Sequence, residues 1–496
     1  MLRVLFLLTA ATVWADPRCV GCHQSIVDSY ARTGKARSVG KPRAEVQTQR
    51  QWFHDFSGRR MGVVWGQGKM THFMEMKGGV ESYEVEWGIG SGREAKNFVV
   101  RLGDSLFLSP LAWFANRMIW DMAPGYAIDA NPTFYRPVSG ECLQCHAGRV
   151  AVVEGSQNRF GEMAQAAIGC ERCHGDVAAH LASGVAGNVV NPGKLAPARR
   201  DAVCESCHLA GEARVANPGK KISDFRAGMA MEDVFTTYVS RRNSEDTVLR
   251  VNSHSEEWAE SKCQPVWCGT CHDSHGAKVD VRAKCLGCHT SIDAHSIDAH
   301  RRKAGADCVG CHMPKQRPWD GSHASRTDHW IRTQKSEQKF LDRGELLRAW
   351  REPAKEVATR NLALGYLQSA EKTRSLKRLR EGLVALDAAV KQGHTDGDVA
   401  LAAGLQYVRQ KKPELALPWL GRAVELAPLD SLRRLHLAAT LANVGRTEEA
   451  RKEAMEAVRL EPLLEQAYVV LGQIEPARKE YWKDQYRKVV PKRMMP

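Results

Sequence analysis

The chain has 496 residues, 43% hydrophobic and 26% charged, a balance that excludes wholesale disorder and a polytopic membrane protein and leaves room for two or three domains. Lys and Arg outnumber Asp and Glu by 71 to 57, a net charge of +14 that would suit nucleic acid or an anionic membrane surface. The 15 cysteines and 18 histidines need an explanation first.

Residues 1–15 read MLRVLFLLTAATVWA: one cation, Arg3, then an apolar run from Val4 to Trp14, with Val13 and Ala15 where a signal peptidase takes small residues. The run is short for a membrane span, so the expectation is a signal peptide cleaved near Ala15. The mature chain is then periplasmic or otherwise exported, without a membrane span, in a compartment where unpaired thiols are unusual.

Fourteen of the cysteines fall into C-x-x-C-H: Cys19-Cys22-His23, Cys142-Cys145-His146, Cys170-Cys173-His174, Cys204-Cys207-His208, Cys268-Cys271-His272, Cys285-Cys288-His289 and Cys308-Cys311-His312. This is the attachment signature of haem c, in which two thiols add across the vinyl groups and the next residue reaches the iron. A disulfide framework would not require a His after every second Cys, and zinc pairs converge two at a time. Seven covalently attached haems are therefore expected. Cys263 is the odd thiol, most simply a buried inert one.

A second imidazole on each iron would close it to substrate and make it an electron carrier. His54, His180, His254, His275, His300, His323 and His329 are the chosen distal candidates, with His54 preferred to His72 for the first haem. In CHDSH, His272 and His275 are three residues apart, so the two can serve neighbouring haems.

The first interval, from motif start 19 to motif start 142, is much the longest. Segments such as Tyr83–Trp87 and Asn97–Leu102 alternate or run apolar between Gly-rich turns, which predicts a small β-rich insert over about 51–137. After Cys311 no cysteine follows and the composition turns to Ala, Leu, Arg and Glu. Gly404, Tyr407, Ala416, Leu420, Ala423 and Pro428 recur 34 residues later as Ala438, Leu441, Ala450, Ala454, Ala457 and Pro462, the period of tetratricopeptide repeats. The expected fold is thus mostly α. A haem-packed domain over 16–335 carries the small insert, and an α-solenoid of such repeats follows over 350–496.

On these residues the chain resembles the exported multihaem cytochromes of the cytochrome c-554 and hydroxylamine oxidoreductase group, often fused to tetratricopeptide repeats. The resemblance runs roughly from Asp16 to Thr333, through CVGCHQSIVDSYARTGKARS, GIGSGREAKNF, DMAPGY, CLQCH, IGCERCHG, CESCHL, WCGTCHDSHG and CVGCHMPK followed by TDHWI. It implies a chain of bis-histidine haems and an electron-transfer role. The chain departs from relatives at Gly34-Lys35-Ala36, where a distal His would stand.

The expected function is a periplasmic cytochrome c that carries electrons along bis-histidine haems to redox partner proteins, with the repeats docking a protein. The alternative is an oxidoreductase acting on a small nitrogen or sulfur compound at one haem with an open distal face. Two propionates per haem would offset the basic excess of the first half, so nucleic acid is not an expected partner. In the second half Lys372, Arg374, Lys377, Arg378 and Arg380 form the densest basic cluster, expected to be a docking surface.

Overall fold

Between the first two cysteine motifs the chain folds as a meander. In the computed structural model, which describes residues 17–44, 50–76, 79–240, 250–263, 266–289, 307–332 and 346–490, nine strands occupy this interval. They are β1 (Val39–Gly40), β2 (Arg50–His54), β3 (Arg59–Gly66), β4 (Lys69–Met76), β5 (Gly79–Ile89), β6 (Lys96–Leu102), β7 (Ser105–Phe114), β8 (Ile119–Met122) and β9 (Arg136–Pro137). Strands β2 to β8 pair antiparallel in sequence order, β1 adds to β5 and β9 to β7. The β3–β4 turn has Gln67 and Gly68 both at positive φ, 51° and 75°, the two-residue hairpin whose twist matches its strands. The long β5 serves two half-sheets: Gly79–Glu84 pairs with β4, and Val85–Ile89, with a bulge between Val85 and Trp87, pairs with β6. The halves fold over one core, where Met61, Val63, Met70 and Met74 meet Phe98, Val100, Trp113, Phe114 and Trp120.

The expectation of a mostly α fold with a small β-rich insert is therefore wrong. The sheet is a large structural unit with its own core. Some strands, such as β4, alternate between buried and more exposed residues. Strands such as β7, buried almost throughout, show no alternation and do not announce themselves.

The cysteine motifs lie on short helices: α1 (Pro17–Tyr30), α2 (Gly140–His146), α3 (Glu171–His174), α5 (Pro197–His208), α7 (Cys268–Cys271), α8 (Val281–Cys288) and α9 (Cys308–His312). Between them stand α4 (Ala178–Ser183) and α6 (His254–Ala259) and the strands β10 (Ala213–Ala216) and β11 (Phe235–Ser240); the two-residue strands β12 (Lys315–Gln316) and β13 (Arg326–Thr327) follow the last. Residues 1–15 and the candidate His300 lie outside the described residues.

Beyond β14 (Leu347–Ala349) come helix pairs: α10 (Lys355–Thr373), α11 (Leu376–Lys391), α12 (Gly397–Arg409), α13 (Pro413–Leu426), α14 (Ser431–Asn443), α15 (Thr447–Leu460), α16 (Glu465–Ile474) and α17 (Lys479–Val489). Successive first helices begin at Gly397, Ser431 and Glu465, which realises the 34-residue period. Ala416, Ala438, Ala450, Ala454 and Ala457 are fully buried where helices touch.

The repeats are bound to the rest of the chain along one edge. β14 pairs with β11. Arg360 of α10, fully buried, donates to the Ala216 carbonyl at 2.5 Å and to Asp396 and Asp398 at 2.7 and 2.8 Å. The loops between repeats face the same way. Ser431 N–H donates to the Gly155 carbonyl at 3.3 Å, and Glu461 accepts from the Ser156 hydroxyl. Arg378, expected on an exposed docking cluster, is instead 1% exposed and donates to Glu212 at 2.9 Å; Lys372, Arg374, Lys377 and Arg380 are exposed.

Two measurements test this edge. A Cβ at Gly365 would sit 2.6 Å from the Tyr238 ring, so Gly365→Ala should lower stability by about 1–3 kcal/mol in thermal unfolding although Ala favours helix. Burial raises the Glu212 pKa, but Arg250 and Arg378 outweigh it and hold the carboxyl at about 2, from an ordinary 4.5. A depressed acid stabilises the fold above its unfolded pKa and loses that contribution as pH falls. About 3 kcal/mol should therefore disappear between about pH 5 and pH 2, read as faster amide exchange in α10 and α11.

Candidate functional site

Each C-x-x-C-H sequence forms one helical turn, so cysteines three residues apart share a face and the His stands at the end of the turn. The helix ends on the His in α2, α3, α5 and α9, and one residue earlier in α7 and α8. Helix α1 runs on but kinks at His23, with φ −122° and ψ 30°. Thiols of different motifs lie beside one another: Cys19 with Cys170, Cys145 with Cys207, Cys204 with Cys268, and Cys285 with Cys308. Cys263 stands near Cys271 and Cys285.

Motif histidines meet histidines from elsewhere. The ring centroids of His23 and His180 are 6.2 Å apart, those of His174 and His275 6.0 Å, and those of His272 and His329 6.0 Å, with interplanar angles of 26°, 16° and 30°. His208 and His254 lie edge to face at 4.8 Å, and His254 also touches His329 at 4.8 Å. The CHDSH turn thus sends His272 and His275 to different partners.

Backbone carbonyls orient several of these rings. His174 donates from Nδ1 to the Val190 carbonyl at 2.8 Å, His312 to that of Arg332 at 2.8 Å, His180 to that of Val185 at 3.0 Å and His329 to that of Thr327 at 3.0 Å. A carbonyl only accepts, so Nδ1 carries the proton and Nε2 keeps its lone pair, the tautomer of a metal ligand with an outer hydrogen bond. Burial, helped by the Lys35 charge, pushes His208 down to about 4, and burial pushes His254 to about 2 and His329 to about 4. These rings are neutral at physiological pH.

Helix α6 anchors the group. His254 opens it, and the buried Glu256 and Glu257 follow. Glu256 accepts from the backbone N–H groups of Ala210 and Gly211 at 3.0 and 2.9 Å. Glu257 accepts from the His329 N–H at 2.9 Å and from the Ser253 hydroxyl at 2.6 Å, and pairs with Arg326. Glu205, inside the fourth motif, accepts from the Trp350 indole at 3.0 Å and pairs with Arg351. Sequence reasoning passed over these three acids, because a buried carboxylate looks like a surface one until its partners are known.

Other candidates stand elsewhere. Both ring nitrogens of His54 are engaged, Nδ1 with the Ser57 hydroxyl at 2.8 Å and Nε2 with the Ala127 carbonyl at 3.1 Å. His323 pairs with Asp121 at 2.6 Å. His72 is fully buried in the sheet core, bonded to Ser109 at 2.7 Å and edged by Phe98 and Trp120. Among the described residues no second imidazole lies against His146 or His289.

The surroundings fit a bulky apolar group. Helices α3, α4, α7, α8 and α9 bury none of their own side chains, and among the described residues no apolar cluster draws on 250–332. Residues 128–175 match the family model of cytochrome c554 and c-prime. That stretch spans the second and third motifs, and a family of this kind implies haem c. The solved structures similar to the chain include YrrB, a TPR protein with an unusual peptide-binding site. It is 25% identical, with 27% of this chain and 71% of that one covered and a TM-score of 0.23. They also include MamA from Desulfovibrio magneticus RS-1, 20% identical, with 28% and 77% covered and a TM-score of 0.24. No curated protein matches the chain. No helix among the described residues is long and apolar enough to cross a membrane.

His72 gives a prediction for the sheet. Burial holds its pKa at about 3, from 6.5. Below pH 6.5 the unfolded chain takes up a proton that the folded sheet refuses, so stability should fall by about 1.4 kcal/mol per pH unit down to about pH 3. Fluorescence of Trp113 and Trp120 during acid titration should show this, and His72→Gln should flatten the slope between pH 6.5 and about pH 5, above the range where Glu212 contributes.

Proposed function

We propose that the chain is an exported multihaem cytochrome c that passes electrons along seven covalently attached haems. The pairing of motif histidines with second histidines carries the reading. An iron bonded on opposite faces to two imidazole Nε2 atoms at about 2 Å each sets their ring centroids roughly 6 Å apart. Three pairs have this spacing, and in each at least one ring has its tautomer fixed by a backbone carbonyl.

The fourteen motif cysteines would hold the haems, and His23, His146, His174, His208, His272, His289 and His312 would be the proximal ligands. His180 would be the distal ligand for His23, His275 for His174 and His329 for His272; His254, edge to face with His208 at 4.8 Å, lies too close for an iron between the two rings. Haem, when bound, supplies one-electron chemistry. The chain's part is to hold neutral imidazoles in place, exclude water and balance charge. The signal-peptide reading of residues 1–15 supports export to the periplasm or beyond the cell. The repeats, attached along one edge, leave exposed cations on α11 for a redox partner protein.

A pyridine haemochrome assay should find seven haems per chain, and two or three would overturn the reading. Electron paramagnetic resonance of the oxidised protein should show low-spin iron, and His180→Ala should add one high-spin component. A strong high-spin signal already present in the unaltered protein would point instead to catalysis on a small nitrogen or sulfur compound.

A further inference from the structure

Arg378 is one of the largest fully buried side chains among the described residues, and it belongs to the repeats. Burying a guanidinium is costly, and an apolar contact of the same size would bind the repeats at least as well. Its partner is Glu212, whose Oε2 accepts from Arg378 Nη1 at 2.9 Å while Oε1 accepts from Arg250 Nη2 at 2.7 Å and from the Ser240 hydroxyl at 3.1 Å. Arg250 passes the connection on, since its carbonyl accepts from Arg326 Nε at 2.6 Å. The Arg326 guanidinium bonds the Ser253 hydroxyl at 2.9 Å and pairs with Glu257, which accepts from the backbone N–H of His329. A second branch starts beside Glu212, where the Gly211 N–H is bonded to Glu256 on α6, the helix that begins with His254. A third joins Trp350 and Arg351, at the entry to the repeats, to Glu205 between Cys204 and Cys207. All three branches end on the fourth and fifth motifs or their facing histidines.

We propose that the repeat domain is part of the redox device: Arg378 is a positioning residue that, through Glu212, sets the placement of His254 and His329 and the charge beside them, and so the reduction potentials of the haems on the fourth and fifth motifs. This rests on the reading of His208 as a proximal ligand and of His272–His329 as an axial pair. An added electron is favoured by nearby positive charge and opposed by negative charge. Removing the Arg378 cation therefore makes reduction harder, and removing the Glu212 anion makes it easier. By reciprocity, whatever the repeats bind near α11 shifts those potentials, and reduction of those haems shifts that binding.

The test is spectroelectrochemical titration of the full haem-loaded protein and of R378Q, R378K, E212Q and the double variant R378Q/E212Q. For one or two haems R378Q should lower the oxidised-to-reduced balance point by about threefold, about 28 mV at 59 mV per tenfold for a one-electron couple, and E212Q should raise it similarly. R378K and the double variant should lie near the unaltered protein, with haem content unchanged in all. The double variant keeps the net charge of the cluster, and the part-exposed Arg250 keeps its bond to the Gly211 carbonyl, so it and R378K keep the comparison intact if R378Q loads poorly. Potentials that do not move, or that move the same way in R378Q and E212Q, would overturn the proposal, because a merely loosened interface has no sign. His329→Ala separates the two levels. A new high-spin signal there with silent charge variants overturns only the role of Arg378, whereas no new signal overturns the axial pairing itself.

Discussion

The helices that bear the cysteine motifs cannot stand alone, and the rest of the architecture answers that constraint. Helices such as α3 and α7 are four residues long, far below what persists in water, and they bury no side chain of their own. What holds them is polar and long-range. The Ser38 hydroxyl donates to the His146 carbonyl at 2.6 Å, the Tyr30 hydroxyl to that of Ile168 at 2.9 Å and the Ser29 hydroxyl to that of His275 at 2.7 Å, each joining segments distant in the chain. Facing imidazoles complete the arrangement, and a planar apolar cofactor in these places would supply the core that the side chains do not.

Two self-sufficient units frame this dependent region. The β-sheet brings its own apolar core, and the repeats bring theirs through alanines packed at zero exposure. Both are regular structures with an apolar core, so both can act as rigid walls. The interface with the repeats is unusually ionic, with Arg360 and Arg378 fully buried. Buried charge binds no better than a matched apolar surface, but it carries a field and demands one geometry.

Legibility in sequence followed the range of the interaction. The 34-residue period is readable because each repeat contacts its neighbours in a fixed pattern, and Gly404 and Ala438 stand at the same kind of helix contact. The sheet was underestimated because strands like β7 are buried on both faces and because β5 changes partner halfway along, which no local pattern reveals. Arg378 was read as a surface cation because it sits among four exposed ones, and only Glu212, far back in the chain, marks it as different.

The seven Cys-x-x-Cys-His turns, and the chemistry they imply, follow from spacing within five residues, since a helical turn places those atoms together whatever surrounds it. The choice of second histidine does not. His180 faces His23 and His329 faces His272 although dozens of residues or more separate them, whereas His54, equally eligible by type, spends both ring nitrogens on Ser57 and Ala127. Those choices are made by chain closure, the meeting of segments whose separation no local pattern encodes, and they belong to the tertiary structure alone.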